Sequence, residues 1–364
     1  MSMPRENVYF NAFNLIYQVG SVRMRKLLNY FPDLETAWRA NLSEIRASGI
    51  EEPVAMKILE SRAKIDPEAE FARLSDLSIQ IITFHDPEYP KILKEIPNPP
   101  MVLYVLGQLL PQDETALAIV GTRKFSPYGK QVTEDIARDL VRAGLTVVSG
   151  LALGIDALAH KAAVFYGGRT IAVLASSVDN IYPASNRMTA EKILEGRGAI
   201  ISEMPLGTPP LKHFFPHRNR IISGLSLGTI VIEAASDSGS LITAHHALEQ
   251  NRQVYAIPGS IYNPVSIGPN NLLKMGAKPV TRVSDILEDL NLNSIQQELI
   301  SSEVIGDNPE EEKILKLLTR QPQHFDELAK KITLPSSTIA ATLMILEMKG
   351  KIKNLGANQY VLAR

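Results

Sequence analysis

The chain has 364 residues, 45% of them apolar and 21% charged, which suits two or three globular domains of about 150 residues each and excludes a largely disordered protein. Its 38 Lys and Arg face 39 Asp and Glu, so the net charge of −1 excludes a generally basic nucleic-acid coat while leaving room for a local basic groove. With no Cys, disulfides, thiol catalysis and Cys-ligated zinc are all excluded, and a reducing compartment fits.

The first ten residues carry Arg5, Glu6 and Asn7 and lack the apolar core of a signal peptide. No run of about 18 apolar residues predicts a membrane span, so the expected location is the cytoplasm. Residues 1–80 read as a small helical domain, SAM-like or helix-hairpin-helix-like. Val8, Phe13, Leu15, Ile16 and Val19 recur at helical spacing, and Gly20-Ser21 break the pattern. Arg23–Tyr30 resumes it, and Phe31-Pro32-Asp33 is expected to end that helix and cap the next. Leu34–Ala40, Leu42–Ala47 and Pro53–Lys64 follow as short helices. The turn Val19–Val22 partly resembles that of a helix-hairpin-helix, which aims backbone N–H groups at a phosphate; a packing module that touches no DNA is the competing reading.

Pro87, Pro90, Pro97, Pro99 and Pro100 mark a connector. Within residues 81–290 the pattern then alternates. Short apolar strands are expected at Leu117–Val120, Thr146–Val148, Thr170–Leu174, Ala199–Ile201, Thr229–Ile232 and Gln253–Ile257. Helices are expected between them at Gly129–Ala143, Asp156–Tyr166, Ser185–Glu195, Arg218–Ser223 and Leu241–Glu249. This alternation predicts the α/β class: a Rossmann-like, doubly wound parallel sheet. Residues 291–307 are polar and acidic and read as a linker. Residues 308–364 hold three amphipathic helices, the third with Ser336 or Ser337 as a possible cap, and a hairpin around Gly356-Ala357-Asn358, the pattern of a winged helix.

Ligands of a doubly wound sheet bind beyond the carboxyl ends of its strands. The first such loop, Gly121 to Lys130, holds three cations and no acid, with Thr122 and Ser126 as hydroxyls; it reads as a phosphate site. Ser149 to Gly154 forms a second glycine-rich turn, where a phosphate cradle and a purely structural turn are both open. Asp156 and His160, at i and i+4, suit a pair. From Gly207 to Ile222 the chain carries Lys212, Arg218 and Arg220 and no acid, interleaved with Phe214 and Phe215, which suits a single strand of nucleic acid. Glu233-Ala-Ala-Ser-Asp-Ser-Gly-Ser opens another helix, and Glu233 could anchor that loop by hydrogen bonds. His213 and His217 lack a third metal ligand nearby. The P-loop spacing, a G-x-S-x-G elbow and a carboxylate pair fit for acid–base work are all missing, so no catalytic group stands out and neither a cofactor nor a metal is expected.

Six stretches carry a wider likeness: VGTRKFSPYG, VSGLALGIDALAH, NIYPASN, HFFPHRNRIISGLS, IEAASDSGSLITAHHALEQNRQVYAIPGSI and IGPNNLLKMGAKPV. Together, and in this order, they resemble the DprA/Smf family of bacterial DNA-processing proteins. The resemblance implies a protein that binds single-stranded DNA, protects it during natural transformation, loads the RecA recombinase onto it, dimerises through its Rossmann-like domain and is not an enzyme. It places phosphates at Gly121, Thr122 and Arg123, at Ser149, Gly150 and Gly154, and at Lys212, Phe215, Arg218 and Arg220, with Ser240 and Thr243 as further candidates. Two other readings stay open. Nucleotide phosphoribohydrolases share the fold, although SDSGSLITAH lacks their double glycine and following acid. A winged-helix transcription regulator is the second, although Ser336–Met348 has no Arg, Lys, Asn or Gln with which to read bases.

Overall fold

The computed structural model describes residues 5–196, 198–292, 307–318, 323–332, 334–356 and 358–362. Most of the expected linker thus lies outside the described residues. The chain divides into two compact units, Met1–Asn291 and Leu292–Arg364. Among the described residues no helix is long and apolar enough to cross a membrane.

Six helices open the first unit: α1 (Arg5–Asn14), α2 (Ser21–Tyr30), α3 (Leu34–Arg39), α4 (Leu42–Ala47), α5 (Glu52–Arg62) and α6 (Pro67–Asp76). Asp33 caps α3 as its position suggested, accepting from the Thr36 N–H at 2.7 Å. There follow β1 (Gln80–Thr83), α7 (Lys91–Lys94), β2 (Val102–Gly107), β3 (Ala116–Val120), α8 (Pro127–Arg142), β4 (Thr146–Ser149), α9 (Ile155–Phe165) and β5 (Thr170–Val173). The unit continues with α10 (Arg187–Leu194), β6 (Gly198–Ser202), α11 (Phe214–Gly224), β7 (Gly228–Val231), α12 (Ser240–Glu249), β8 (Gln253–Ala256), α13 (Ile267–Lys274), β9 (Lys278–Pro279) and α14 (Val283–Asp289).

Among the described residues these strands form one nine-stranded sheet of order β1-β2-β6-β5-β4-β3-β7-β8-β9. From β6 to β9 neighbouring strands are parallel, whereas β1–β2 and β2–β6 are antiparallel. The doubly wound sheet is therefore extended at one edge by two antiparallel strands, one on each side of the proline-rich stretch. The side chains alternate across it. Val102, Tyr104, Ala172, Leu174 and Ile200 face a core shared with α1 to α6. Leu103, Val105, Ile171, Val173, Ala199 and Ile201 face the opposite core, closed by Leu93, Ile221, Ile222, Ala244 and Ala247. The helical N-terminal segment thus covers one face of the sheet and shares its hydrophobic core.

Helix α11 begins four residues earlier than the sequence suggested, so Phe214 to His217 are helical. Pro216 masked this start. In a first turn the missing N–H costs nothing, because that position has no intrahelical acceptor.

In the second unit α15 (Pro309–Leu317), α16 (Phe325–Lys331) and α17 (Ser336–Met348) pack with β10 (Gln323–His324), β11 (Ile352–Gly356) and β12 (Gln359–Leu362). The described strands pair antiparallel in the order β10-β12-β11, around Ile314, Leu328, Ile339, Leu343, Leu346 and Ile352. This is the winged-helix arrangement, with β10 added to the expected hairpin. Neither serine caps α17: Pro335 stands at the cap and Ser336 is already helical.

Close approach of β5 and β6 depends on Gly198, where an added Cβ would lie 1.7 Å from the Thr170 carbonyl oxygen. Gly198→Ala should therefore lower stability by about 1–3 kcal/mol, read as a lower urea midpoint in equilibrium unfolding.

Candidate nucleic-acid interface

The strand order reverses at β3, whose neighbours are β4 and β7. Beyond their carboxyl ends three loops and the start of α11 converge, as expected at a topological switch point.

The loop after β3 is held from within. The Thr122 N–H donates to the Glu233 carbonyl at 2.6 Å, tying it to the end of β7. The buried Glu233 carboxylate accepts from the Ser126 N–H at 2.8 Å and from its hydroxyl at 2.5 Å, while Ser126 Oγ caps α8 by accepting from the Gly129 N–H. Glu233 thus anchors the loop, as its position suggested. It also occupies the start of α8, where the sequence had placed a phosphate. Gly121 and Gly129 have no room for a side chain: a Cβ would lie 2.6 Å from Ile155 at the first and 2.2 Å from the Glu233 carboxylate at the second.

The loop after β4 is closed in the same way. The Asp156 carboxylate, in the first turn of α9, accepts from the Gly150 N–H at 3.1 Å. Gly154 has φ +89°, and a Cβ there would meet the Thr122 carbonyl oxygen at 2.3 Å, so the two loops touch backbone to backbone. Ser149 lies inside the sheet and donates its hydroxyl proton to the Ile119 carbonyl at 2.6 Å. Gly150 makes room for Arg218, whose guanidinium would sit 2.5 Å from an added Cβ.

Arg218 is only 3% exposed. Its Nη1 donates to the carbonyls of Gly150, at 2.7 Å, and Val173, and its Nε donates to Asn219 Oδ1 at 3.2 Å. Burial pushes the guanidinium down to about 10, with Asp156 opposing and Arg123 adding to the shift, so it stays charged at neutral pH. Burial in turn pushes the Asp156 carboxyl up, against the pull of Arg218 and the N–H groups of Gly150 and Ala152.

The expected Asp156–His160 pair does not form, because Asp156 turns to Gly150. His160 Nδ1 lies 2.7 Å from Thr170 Oγ1, and that hydroxyl donates its own proton to the Val147 carbonyl, so the imidazole is the donor to it. Its Nε2 is buried without a partner, and burial, with the nearby Arg218 charge, drives the ring down to about 3.

What faces outward is a different set. Arg123, Lys124 and Lys212 are exposed and have no carboxylate partner among the described residues. Phe215 is half-buried, with the guanidinium carbons of Arg123 and Arg218 each 5.9 Å from its ring centre. Tyr182 stands edge-on to it at 6.1 Å, a ring the sequence reading passed over. Arg220 is largely buried and paired with Glu203. Ser240 opens α12 with its hydroxyl 2.8 Å from that of Ser238, and Thr243 is buried one turn later. Asn219 reaches the same helix start, donating to the Gly239 carbonyl at 3.2 Å. Among the described residues no cluster of three His, Asp or Glu side chains could hold a metal ion.

A family model described as DNA recombination-mediator protein A matches residues 80–291, and a model of the DprA winged helix domain matches residues 303–358. The chain is 34% identical over 394 aligned positions to Protein Smf of a Synechocystis species, covering 98% of each chain. It is 42% identical over 226 positions to DNA processing protein DprA of Bacillus subtilis, covering 62% of this chain and 76% of the relative. Among solved structures, DNA processing protein A from Streptococcus pneumoniae superposes with a TM-score of 0.67 at 36% identity, covering 79% of this chain and 98% of that one. The protein from Helicobacter pylori, whose structure describes a single-stranded DNA binding mode, superposes with a TM-score of 0.53 at 32% identity, covering 59% of this chain and 97% of that one.

Two outcomes follow from the buried groups. Removing Arg218 strands the Asp156 charge, so Arg218→Met should cost about 3–5 kcal/mol, and Asp156→Asn in the same background should cost less than it does alone. Urea unfolding of both single variants and the double variant measures this coupling. His160 has a folded pKa of about 3 against 6.5 when unfolded, so the unfolded chain takes up the extra proton and stability falls as pH drops below about 6.5. Thermal melts from pH 7 to pH 5 should show that fall in the wild type and a shallower one in His160→Gln.

Proposed function

The chain belongs to the DNA recombination-mediator protein A family, and from that premise we propose that it binds single-stranded DNA without reading its sequence, protects incoming DNA and loads RecA onto it during natural transformation. One observation carries the binding reading. Arg123 and Lys124 in the loop after β3, and Lys212 two residues before α11, are exposed with no carboxylate partner among the described residues, and the Arg123 guanidinium lies 5.9 Å from the centre of the half-buried Phe215 ring. Cations track a phosphate backbone, and an exposed ring face stacks on any base. In this reading Arg123, Lys212 and Phe215 touch the strand. Ser240 and Thr243 shape the neighbouring helix start, and Gly121, Thr122, Ser149, Gly150, Gly154, Arg218 and Arg220 build the surface from beneath.

The same geometry supports a binding protein over an enzyme. Glu233 and Asp156, the acids at the starts of α8 and α9, are buried and committed to backbone N–H groups, which leaves neither poised for proton transfer. On the winged-helix unit, α17 exposes Met344, Ile345 and Met348. Apolar side chains there favour contact with protein over base reading. We place the protein in the cytoplasm as a homodimer formed through the first unit, whose exposed Ile261, Tyr262 and Met275 offer apolar surface for a second copy.

Fluorescence anisotropy with labelled oligo-dT, mixed-sequence oligomers and matched duplex, over a salt series, tests the reading. Single strands of any sequence should bind tightly and duplex weakly. Arg123→Ala should flatten the logarithmic salt slope by about 0.7, the loss of one phosphate contact to a single strand. An unchanged slope would remove Arg123 from the interface, and equal binding of duplex would overturn the single-strand preference.

A further inference from the structure

Tyr17 lies 196 residues before His213 in sequence, yet its hydroxyl is 3.3 Å from the His213 Nε2. Its ring lies 6.3 Å from that of Phe214, tilted by 58°. The ring is 71% exposed, so it is no part of the core. Its position is nonetheless fixed. One turn earlier Asn14 donates to the Glu203 carbonyl at 2.9 Å and lies 3.2 Å from the Tyr104 hydroxyl, which holds the end of α1 beside the segment that leads into α11.

The two chain stretches that meet here hold cations and no acid. From Leu15 to Phe31 the chain has Arg23, Arg25 and Lys26 and no acid, as it has no acid from Gly207 to Ile222. Arg23 is paired with Glu51 and Lys26 is bonded to the Gly49 carbonyl, which leaves Arg25 without a carboxylate partner among the described residues. Lys212, next to His213, is unpaired as well. An exposed aromatic ring, held by a hydrogen bond to His213 in a neighbourhood whose two stretches of chain supply Arg25 and Lys212, offers the same kinds of group as the Phe215 site.

Resting on the single-strand reading above, we propose that the DNA path continues from Phe215 onto the N-terminal helical segment, where Tyr17 stacks on a base and Lys212 and Arg25 flank its phosphates. The turn Val19–Val22 suggested a backbone phosphate contact in this region; the contact proposed here is base stacking on a side-chain ring.

Photocrosslinking of the full chain to oligo-dT containing 5-iodouracil, mapped by mass spectrometry, should give an adduct at Tyr17 as well as at the crevice. In anisotropy, Tyr17→Ala should weaken binding of long oligomers about tenfold while leaving oligomers too short to pass Phe215 unchanged, and Tyr17→Phe should bind as the wild type does. Crosslinks confined to residues 121–240, together with wild-type affinity of Tyr17→Ala at every length, would overturn this extension and leave the proposed function standing. Equal losses in Tyr17→Phe and Tyr17→Ala would overturn stacking as its basis. Failure of the wild type to bind any single strand would overturn both.

Discussion

A guanidinium shut away from water has to be neutralised where it sits, and that requirement at Arg218 organises the crevice. The charge faces Asp156 and is wrapped by the carbonyls of Gly150 and Val173 and the amide of Asn219. These partners belong to the ends of β4 and β5 and to α9 and α11. One side chain therefore fastens together most of the elements that meet at the switch point. It also explains a glycine. Gly150 reads in sequence as part of a phosphate cradle, but its missing Cβ is the space the guanidinium fills.

The second organising device is a pair of internal anions. Glu233 sits at the start of α8 and Asp156 at the start of α9, positions where a doubly wound fold often receives a phosphate. Here the chain supplies its own carboxylates, which already take up the Ser126 N–H in the first turn and the Gly150 N–H in the second. A polyanion that approaches meets side chains, Arg123, Lys124 and Lys212, rather than a backbone nest. Flexible cations accept phosphates over a range of positions, and contacts of that kind carry no sequence information.

The strands and helices from Ala116 to Ala256 were legible because short apolar runs alternate with amphipathic segments, whereas α13, β9 and α14 after them were not read. β1 and β2 were not, because they bracket prolines and join the sheet antiparallel, outside that alternation. The start of α11 was hidden by Pro216, a residue that usually ends helices but is harmless in a first turn. The candidate site was legible as a set of loops, since topology alone brings the strand ends together. Its depth was not. Arginine at position 123 and arginine at position 218 look alike in a sequence, yet one is exposed and the other lies beneath it. The acid in the first turn of α9 was the available signal, because an acidic residue there commonly binds the preceding N–H groups. Tyr17 gave no signal, since its neighbours lie far along the chain.

The contact between Gly154 and the Thr122 carbonyl, together with the Ile155 N–H donated to that carbonyl, joins the two loops into one body. Neither can open without the other, and both are tied to β7 through Glu233. Their amide protons should exchange with solvent far more slowly than surface loops of this length ordinarily allow. A strand docking there would meet a surface ordered in advance, and the freedom lost on association would be the nucleic acid's own.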